Sequence, residues 1–261
     1  MSKVQYKSAS DIEQIRKAAD VLSRLLGVIA GEIKPGVTTK ALDKLAYDYI
    51  HDNGGKPAFL NYQGFPNSLC ISVNDQVVHG IPGDYELRDG DIISVDGGVE
   101  LNGFISDSAY TFAVGEVSEE VRQLLKVTLE SLDLGTEQAV AGKRVGDIAY
   151  AVQEHVQQYG YGIVRELVGH GVGYQLHEKP EVPNYGKRGS GVKLEEGLVI
   201  CIEPMINLGR AGVKFWDDGW TVSTVDGKAS AHFEHMVAIR KGTPDVLTTF
   251  AHIEEVLSKN S

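Results

Sequence analysis

Two segments of this 261-residue chain, about 107 positions apart, carry one pattern. LRDGDIISVD (Leu87 to Asp96) and LEEGLVICIE (Leu194 to Glu203) each read Leu, two charged residues, Gly, a mostly apolar strand and a carboxylate. Downstream, FISDSAYTFAVG (Phe104 to Gly115) lies over AHFEHMVAIRKG (Ala231 to Gly242), with Asp107 over Glu234. The segment between the two acids is 20 residues longer in the second half. Identity is low, so strand-pattern coincidence is the competing reading. The shared register of both carboxylates favours duplication: two pseudo-symmetric helix-helix-strand halves, residues 10–115 and 118–248, forming one α/β (α+β) domain over 1–261 with a cleft between them.

The flanking pattern supplies the helices. Ser10 with Glu13 three residues on predicts a capping box, followed by helical spacing at Ile12, Ile15, Ala19, Leu22, Leu26 and Ile29. A second helix follows Pro35-Gly36 and ends at Asn53-Gly54-Gly55. Strands are expected at Leu69 to Val73, Asp91 to Val95 and Phe104 to Val114. The pattern then restarts, with a helix from Ser118, another between Gly142 and Gly160, and strands through Val237 to Ile239.

Asp96, Asp107, Glu203 and Glu234 each interrupt an apolar strand. A carboxylate facing a core costs several kcal/mol unless it is paired or binds a metal. Any one of the four reads as a turn residue or a solvated strand end; four related in pairs by a repeat do not. Asp96 and Asp107 flank LNGF, whose Asn102-Gly103 is a hairpin signal, so both can face one space. The repeat would bring Glu203 and Glu234 to the opposite wall. Such a site favours hard divalent cations, and one imidazole shifts it towards Mn, Fe, Co or Zn. His170 in VGHGVG is the candidate nitrogen ligand, with glycines that let backbone approach a crowded centre.

VDGGVELNGFISDSAYTF, VGHGVG, CIEPM and HFEHM, in this order and spacing, resemble the five-ligand constellation of the methionine aminopeptidases. VVHGIP (Val77 to Pro82) and GWTVSTVDG (Gly219 to Gly227) match as well, and the resemblance runs from Ser10 to Thr248. It is greatest to the short bacterial type I form, since no long helical insert separates His170 from Glu203 and no Cys-rich segment opens the chain. The resemblance implies the pita-bread fold around a two-metal cleft. It implies that Asp96 chelates one ion and His170 the other, that Asp107 and Glu234 bridge both, and that Glu203 binds beside His170 and accepts the proton of the attacking water. By the same resemblance His177 in LHEKP contacts the substrate carbonyl and His79 the scissile nitrogen. The expected activity is removal of the initiator methionine from nascent chains, at the ribosome, when the second residue is small.

The methionine pocket needs apolar, polarizable walls, and the matching positions are Phe59, Tyr62, Phe65, Cys70, Leu176 and Trp220. Phe59 stands where a small Cys is common, Leu176 replaces an aromatic, and Gln63 stands where a histidine is frequent, so a reshaped pocket is expected. Two relatives of other function remain as alternatives: a Pro-handling aminopeptidase P or prolidase, which usually carries a further N-terminal domain, and a metal-free binding module. Composition narrows the partners. Lys plus Arg number 25 against 36 Asp plus Glu, a net charge of −11 without a basic stretch, which argues against nucleic acid. No apolar run approaches the roughly 18 residues of a membrane span, and MSKVQYKSASDIEQIRK has no secretory core. Cys70 and Cys201 sit in separate apolar runs and read as reduced core or pocket residues, so a cytoplasmic monomer is expected.

Overall fold

The computed structural model describes residues 3–260; residues 1, 2 and 261 of the unit expected over 1–261 lie outside the described residues. The first half runs α1 (Ala9–Glu32), α2 (Thr39–Asp52), β1 (Lys56–Pro57), β2 (Leu69–Val73), β3 (Gln76–Val78), β4 (Ile92–Leu101) and β5 (Phe104–Ala113). The second runs α3 (Glu119–Thr136), α4 (Val145–Gln157), β6 (Gly162–Ile163), β7 (Gly169–Gly171), β8 (Glu178–Val182), β9 (Val199–Ile202) and β10 (Met205–Asn207). It continues through β11 (Val213–Phe215), β12 (Val222–Thr224), β13 (Ser230–His232), β14 (His235–Ala238) and β15 (Asp245–Val246) to α5 (Ala251–Asn260).

The first helix starts two residues earlier than Ser10 and Glu13 predict. Ser8 is its N-cap: the Ser8 hydroxyl accepts from Asp11 N–H at 3.2 Å, and the Asp11 carboxylate accepts from Ser8 N–H at 2.9 Å. Ser8-x-x-Asp11 is the same motif as Ser10-x-x-Glu13, and the shorter Asp reaches back to the cap. The expected apolar positions of α1, from Ile12 to Ile29, are all buried, and Ser118 caps α3 as expected.

The strand expected over Asp91 to Val95 runs on to Leu101, through Gly97 and Gly98. These glycines do not break it because close packing requires them there: a Cβ on Gly97 would lie 2.6 Å from Leu69 Cδ2, and one on Gly98 2.8 Å from Phe59 Cε1. Beyond it Asn102 and Gly103, at φ 54° and 82°, turn the chain as a two-residue hairpin loop needs. β5 pairs with the whole of β4, from Ile92 opposite Ala113 to Leu101 opposite Phe104. β1 and β2 share the other edge of β4.

In the second half β9 and β14 take the corresponding places in a five-stranded sheet of order β15-β14-β9-β7-β8. The longer excursion between β9 and β14 supplies β10 to β13, which form two three-stranded sheets with strands from earlier in the chain, β13-β10-β6 and β11-β12-β3. The same hydrogen bonds recur in both halves. Gly36 N–H donates to Leu87 O (2.8 Å) and Leu87 N–H to Val37 O (2.9 Å), while Gly142 N–H donates to Leu194 O (2.9 Å) and Leu194 N–H to Lys143 O (2.8 Å). Gly90 and Gly197, in the two charged turns before β4 and β9, have φ of 91° and 89°.

Alternation along β9 joins the halves. Ile200 and Ile202 belong to the large core that also holds Leu22, Leu26 and Ile29 of α1, Val95 of β4 and Val152 of α4. Val199 and Cys201 face the other way, onto Ile12, Ile15 and Ala19 of α1 and Met236 of β14. Polar stitches then hold β5 against the segment before β14. Thr111 Oγ1 donates to His232 O (2.7 Å), Ser108 Oγ donates to Glu234 O (2.8 Å), and Glu234 N–H donates to Ala109 O (2.9 Å). Those bonds carry one acid of each half into the same cleft.

Candidate metal centre

Asp96 lies mid-strand in β4, with Cys70 of β2 on one side and Ala109 of β5 on the other. Asp107 pairs with Gly98, two residues from Asp96, so both acids project from one face of the hairpin. Glu203 follows β9, and Glu234 precedes β14, each one step beyond the His235–Ile202 pair. His170 sits in β7, between β8 and β9. Its Nδ1 lies 3.0 Å from Gly171 O. A proton there leaves the Nε2 lone pair free to act as a ligand. Nε2 lies 3.7 Å from Asp107 Oδ2 and 3.6 Å from Glu203 Oε1. Donors each about 2 Å from a shared ion stand at such separations.

Asp107, His170, Cys201 and Glu234 form one group whose ligand atoms lie within 4.8 Å of one another. Asp96 joins it from beside Asp107, two register positions away on the same hairpin face, and Glu203 joins it through His170. Buried oxygens of Asp96, Asp107 and Glu234 have no hydrogen-bond partner, and among the described residues the ion-pair distances from Asp107 and Glu203 lead to histidines rather than to Lys or Arg. Burial, then mutual repulsion, pushes Asp107 and Glu203 well above the carboxylate range; Glu234 is driven up the same way, while burial lifts Asp96 to about 7. Burial lowers His170 to about 3, so its ring is neutral. Concentrated anionic oxygens, orphaned lone pairs and one neutral imidazole suit divalent cations, whose charge reverses those carboxylate shifts.

Two further groups sit at the centre that the sequence reading had not placed there. Cys201 is two residues before Glu203 on the same face of β9, and strand alternation is the signal that locates it. Its fully buried thiol is pushed well up, by burial first and then by the charge of Glu234, and its sulfur lies within 4.8 Å of a Glu234 carboxylate oxygen. His232, also buried, has no partner for either ring nitrogen, and its Nε2 is 3.8 Å from Glu203 Oε2.

A cavity of about 240 Å³ opens onto the acids, below the ~300–1,000 Å³ of sites that take drug-sized ligands. Phe59, Tyr62, Phe65, Cys70, Leu176 and Trp220 all line it. Phe59, Phe65, Cys70 and Leu176 are buried in one apolar cluster, and Phe65 meets Trp220 edge-on at 5.1 Å. Gln63, Leu167 and Met205 complete the wall. His79 enters from a turn after β3 at φ 59°, a conformation costly for a residue with a Cβ. It is held because Gly80 packs against Ile71 O too closely for any side chain and donates to Ser72 Oγ at 3.1 Å. The His79 ring stands edge-on to Trp220 at 6.4 Å, and burial lowers it to about 4. His177 Nδ1 lies 2.8 Å from the Tyr62 hydroxyl, and its ring is 4.2 Å from that of His170.

Comparison with known proteins gives a consistent picture. The model of metallopeptidase family M24 matches residues 13–241. The methionine aminopeptidase of Clostridium perfringens is 50% identical over 242 residues, covering 93% of this chain and 97% of that protein. The crystal structure of methionine aminopeptidase from Rickettsia prowazekii is 38% identical and superposes with a TM-score of 0.93, over 95% of this chain and 100% of that one. The prolidase from Pyrococcus furiosus is 25% identical, with a TM-score of 0.77 over 94% of this chain and 65% of that one.

Proposed function

The chain belongs to metallopeptidase family M24 and, within it, to the methionine aminopeptidases, and from that premise we propose how its residues divide the work. It is a metal-dependent hydrolase that removes N-terminal methionine. Residues 1–261 act as one catalytic unit whose repeated halves span 10–115 and 118–248, a reading supported by the hydrogen bonds that recur around Leu87 and Leu194. Two divalent ions would be held by Asp96 on one side and His170 with Glu203 on the other, with Asp107 and Glu234 between them. When bound, such ions supply Lewis acidity and bring a water's pKa towards neutrality.

The rest is work for side chains. The apolar cavity takes the thioether of the first residue, through Phe59, Phe65, Cys70 and Leu176. Glu203, held beside His170 at the floor of the cavity, accepts the proton of the attacking water. The role requires the His177 tautomer in which Nδ1, 2.8 Å from the Tyr62 hydroxyl, accepts that hydroxyl's hydrogen bond, so that Nε2–H donates to the peptide carbonyl as negative charge grows there. His79, fixed by its left-handed turn, contacts the scissile nitrogen and helps the amine leave. The second side chain must fit beside these two histidines, which is why a small residue is required there.

The observation that carries this reading is a cluster of buried acids with orphaned oxygens and one imidazole at the floor of an apolar pocket. On this reading the substrate is the N-terminus of a newly made chain, met in the cytoplasm at the ribosome by a monomeric enzyme. The two free, buried cysteines suit a reducing compartment, and no described helix is long and apolar enough to cross a membrane. Metal content after chelation and add-back of Mn, Fe, Co or Zn, read beside cleavage of Met-Ala-Ser and Ala-Pro-Ala, tests the assignment. Preferred cleavage of Ala-Pro-Ala would transfer the chain to the Pro-handling branch.

A further inference from the structure

Lys7 lies in the extended segment before α1, yet its side chain is wholly buried against the carboxylate of Glu178, itself 1% exposed. These residues are 171 positions apart. Glu178 follows His177 directly, and its other carboxylate oxygen accepts from Tyr174 N–H (2.8 Å) and Gln175 N–H (3.0 Å). One carboxylate thus closes the turn that carries His177. The Lys7 backbone is fixed in turn, since its N–H donates to Gly197 O at 2.7 Å. Gly173 makes room for the lysine stem: a Cβ there would lie 2.8 Å from Lys7 Cε. Tyr174 adds a second tie, donating its hydroxyl to Asp11 at 2.9 Å while its ring lies 5.3 Å from the Lys7 ammonium. Glu178 also pairs with Gly171, the neighbour of His170.

A pair this deep is weak support for stability, because desolvation consumes much of the attraction, but breaking it leaves an uncompensated charge. Its value must lie in the geometry it enforces. We propose that Lys7 and Glu178 are positioning residues, an ion pair that locks the 174–178 turn so that the His177 ring is presented to the substrate carbonyl. The inference rests on the role given to His177 above. Misplacing a reacting group by about 1 Å can cost roughly 100-fold, so loosening this turn acts on turnover more than on substrate binding.

The test compares Lys7→Met, His177→Ala and the double variant for metal content, kcat and KM on Met-Ala-Ser. Lys7→Met keeps the buried stem and should retain the bound metal, lower kcat by roughly 10- to 100-fold and move KM less than about threefold. The decisive readout is coupling: in the His177→Ala background Lys7→Met should lower kcat no further, because both act through one ring. Glu178→Gln, which keeps an oxygen for the two backbone donors, carries the same comparison if Lys7→Met does not fold. An unchanged kcat in the single variant, or the same fold-loss with and without His177, overturns the proposal. If His177→Ala itself keeps full turnover, the reading of His177 falls and the proposal with it; if only the Lys7 and Glu178 variants are silent, the proposal falls alone.

Discussion

Replacing Asp107 with Asn removes one charge from the centre while keeping the side chain's shape. Asp107 is only 3% exposed, and burial followed by the charges of Glu234 and Asp96 pushes its carboxyl far up. Two opposing effects therefore come from one substitution. At about 4 Å, two unit charges interact by roughly 4 kcal/mol at an effective dielectric near 20, and a divalent ion doubles that. Part is offset because the native acid must first shed a proton that burial helps it keep. A net loss of roughly 3–4 kcal/mol remains, or about 10²–10³ in metal affinity. Without metal the effect reverses: removing an acid that repels its neighbours should leave the melting temperature unchanged or higher. Titration against a metal buffer, beside thermal melts of chelated protein, reads both quantities. Unmodified metal affinity in Asp107→Asn would refute the bridging role, and a large drop in metal-free stability would mean the acid serves the fold instead.

Three further outcomes follow from the same geometry. Metal binding near pH 7 should release about one proton or more, since the acids have raised carboxylate pKa values and Asp96 sits at about 7, while His170 at about 3 is already neutral. Affinity should therefore fall as pH drops through 7; calorimetry in buffers of different ionisation enthalpy counts the protons, and none released would contradict the shifts. His79→Ala and His177→Ala should each keep their metal and lose roughly 10²–10³ in kcat, whereas loss of metal would make either a ligand or a support. Gly169→Ala should cost roughly 1–3 kcal/mol of stability and weaken metal binding, because its Cβ would collide with Cys201 O and lie 3.1 Å from Val182 O on the other side. A variant with native melting and metal content would show that β7 can shift without disturbing His170.

How much of this was legible in the chain depended on the range of the forces involved. Asp96 and Asp107 could be placed on one face because a two-residue Asn-Gly turn sets the register, and register sets which side chains share a face. The apolar stripe of α1 and the strand at Leu69 to Val73 were legible for the same local reason. The run of β4 beyond Val95 was not, since what suits Gly97 and Gly98 to the strand is the close packing of Leu69 and Phe59 against them, which comes from other segments. The start of α1 was misplaced between two overlapping capping motifs, which only the hydrogen bonds of Ser8 and Asp11 distinguish. Cys201 in its apolar run reads only as a core or pocket residue, although strand alternation with Glu203 carries its place at the centre; His232 and the Lys7–Glu178 pair depend on contacts between distant segments, for which no periodicity exists.

The central claim is that divalent metal held by these acids drives removal of methionine ahead of a small residue. The most direct measurement is release of free methionine from Met-Ala-Ser and Met-Lys-Ser by protein stripped with a chelator and then titrated with one divalent ion. The account predicts no release from the stripped protein, recovery as metal binds, and Met-Ala-Ser cleaved at least roughly 100-fold faster than Met-Lys-Ser. Undiminished release without metal, or equal cleavage of the two peptides, would contradict it.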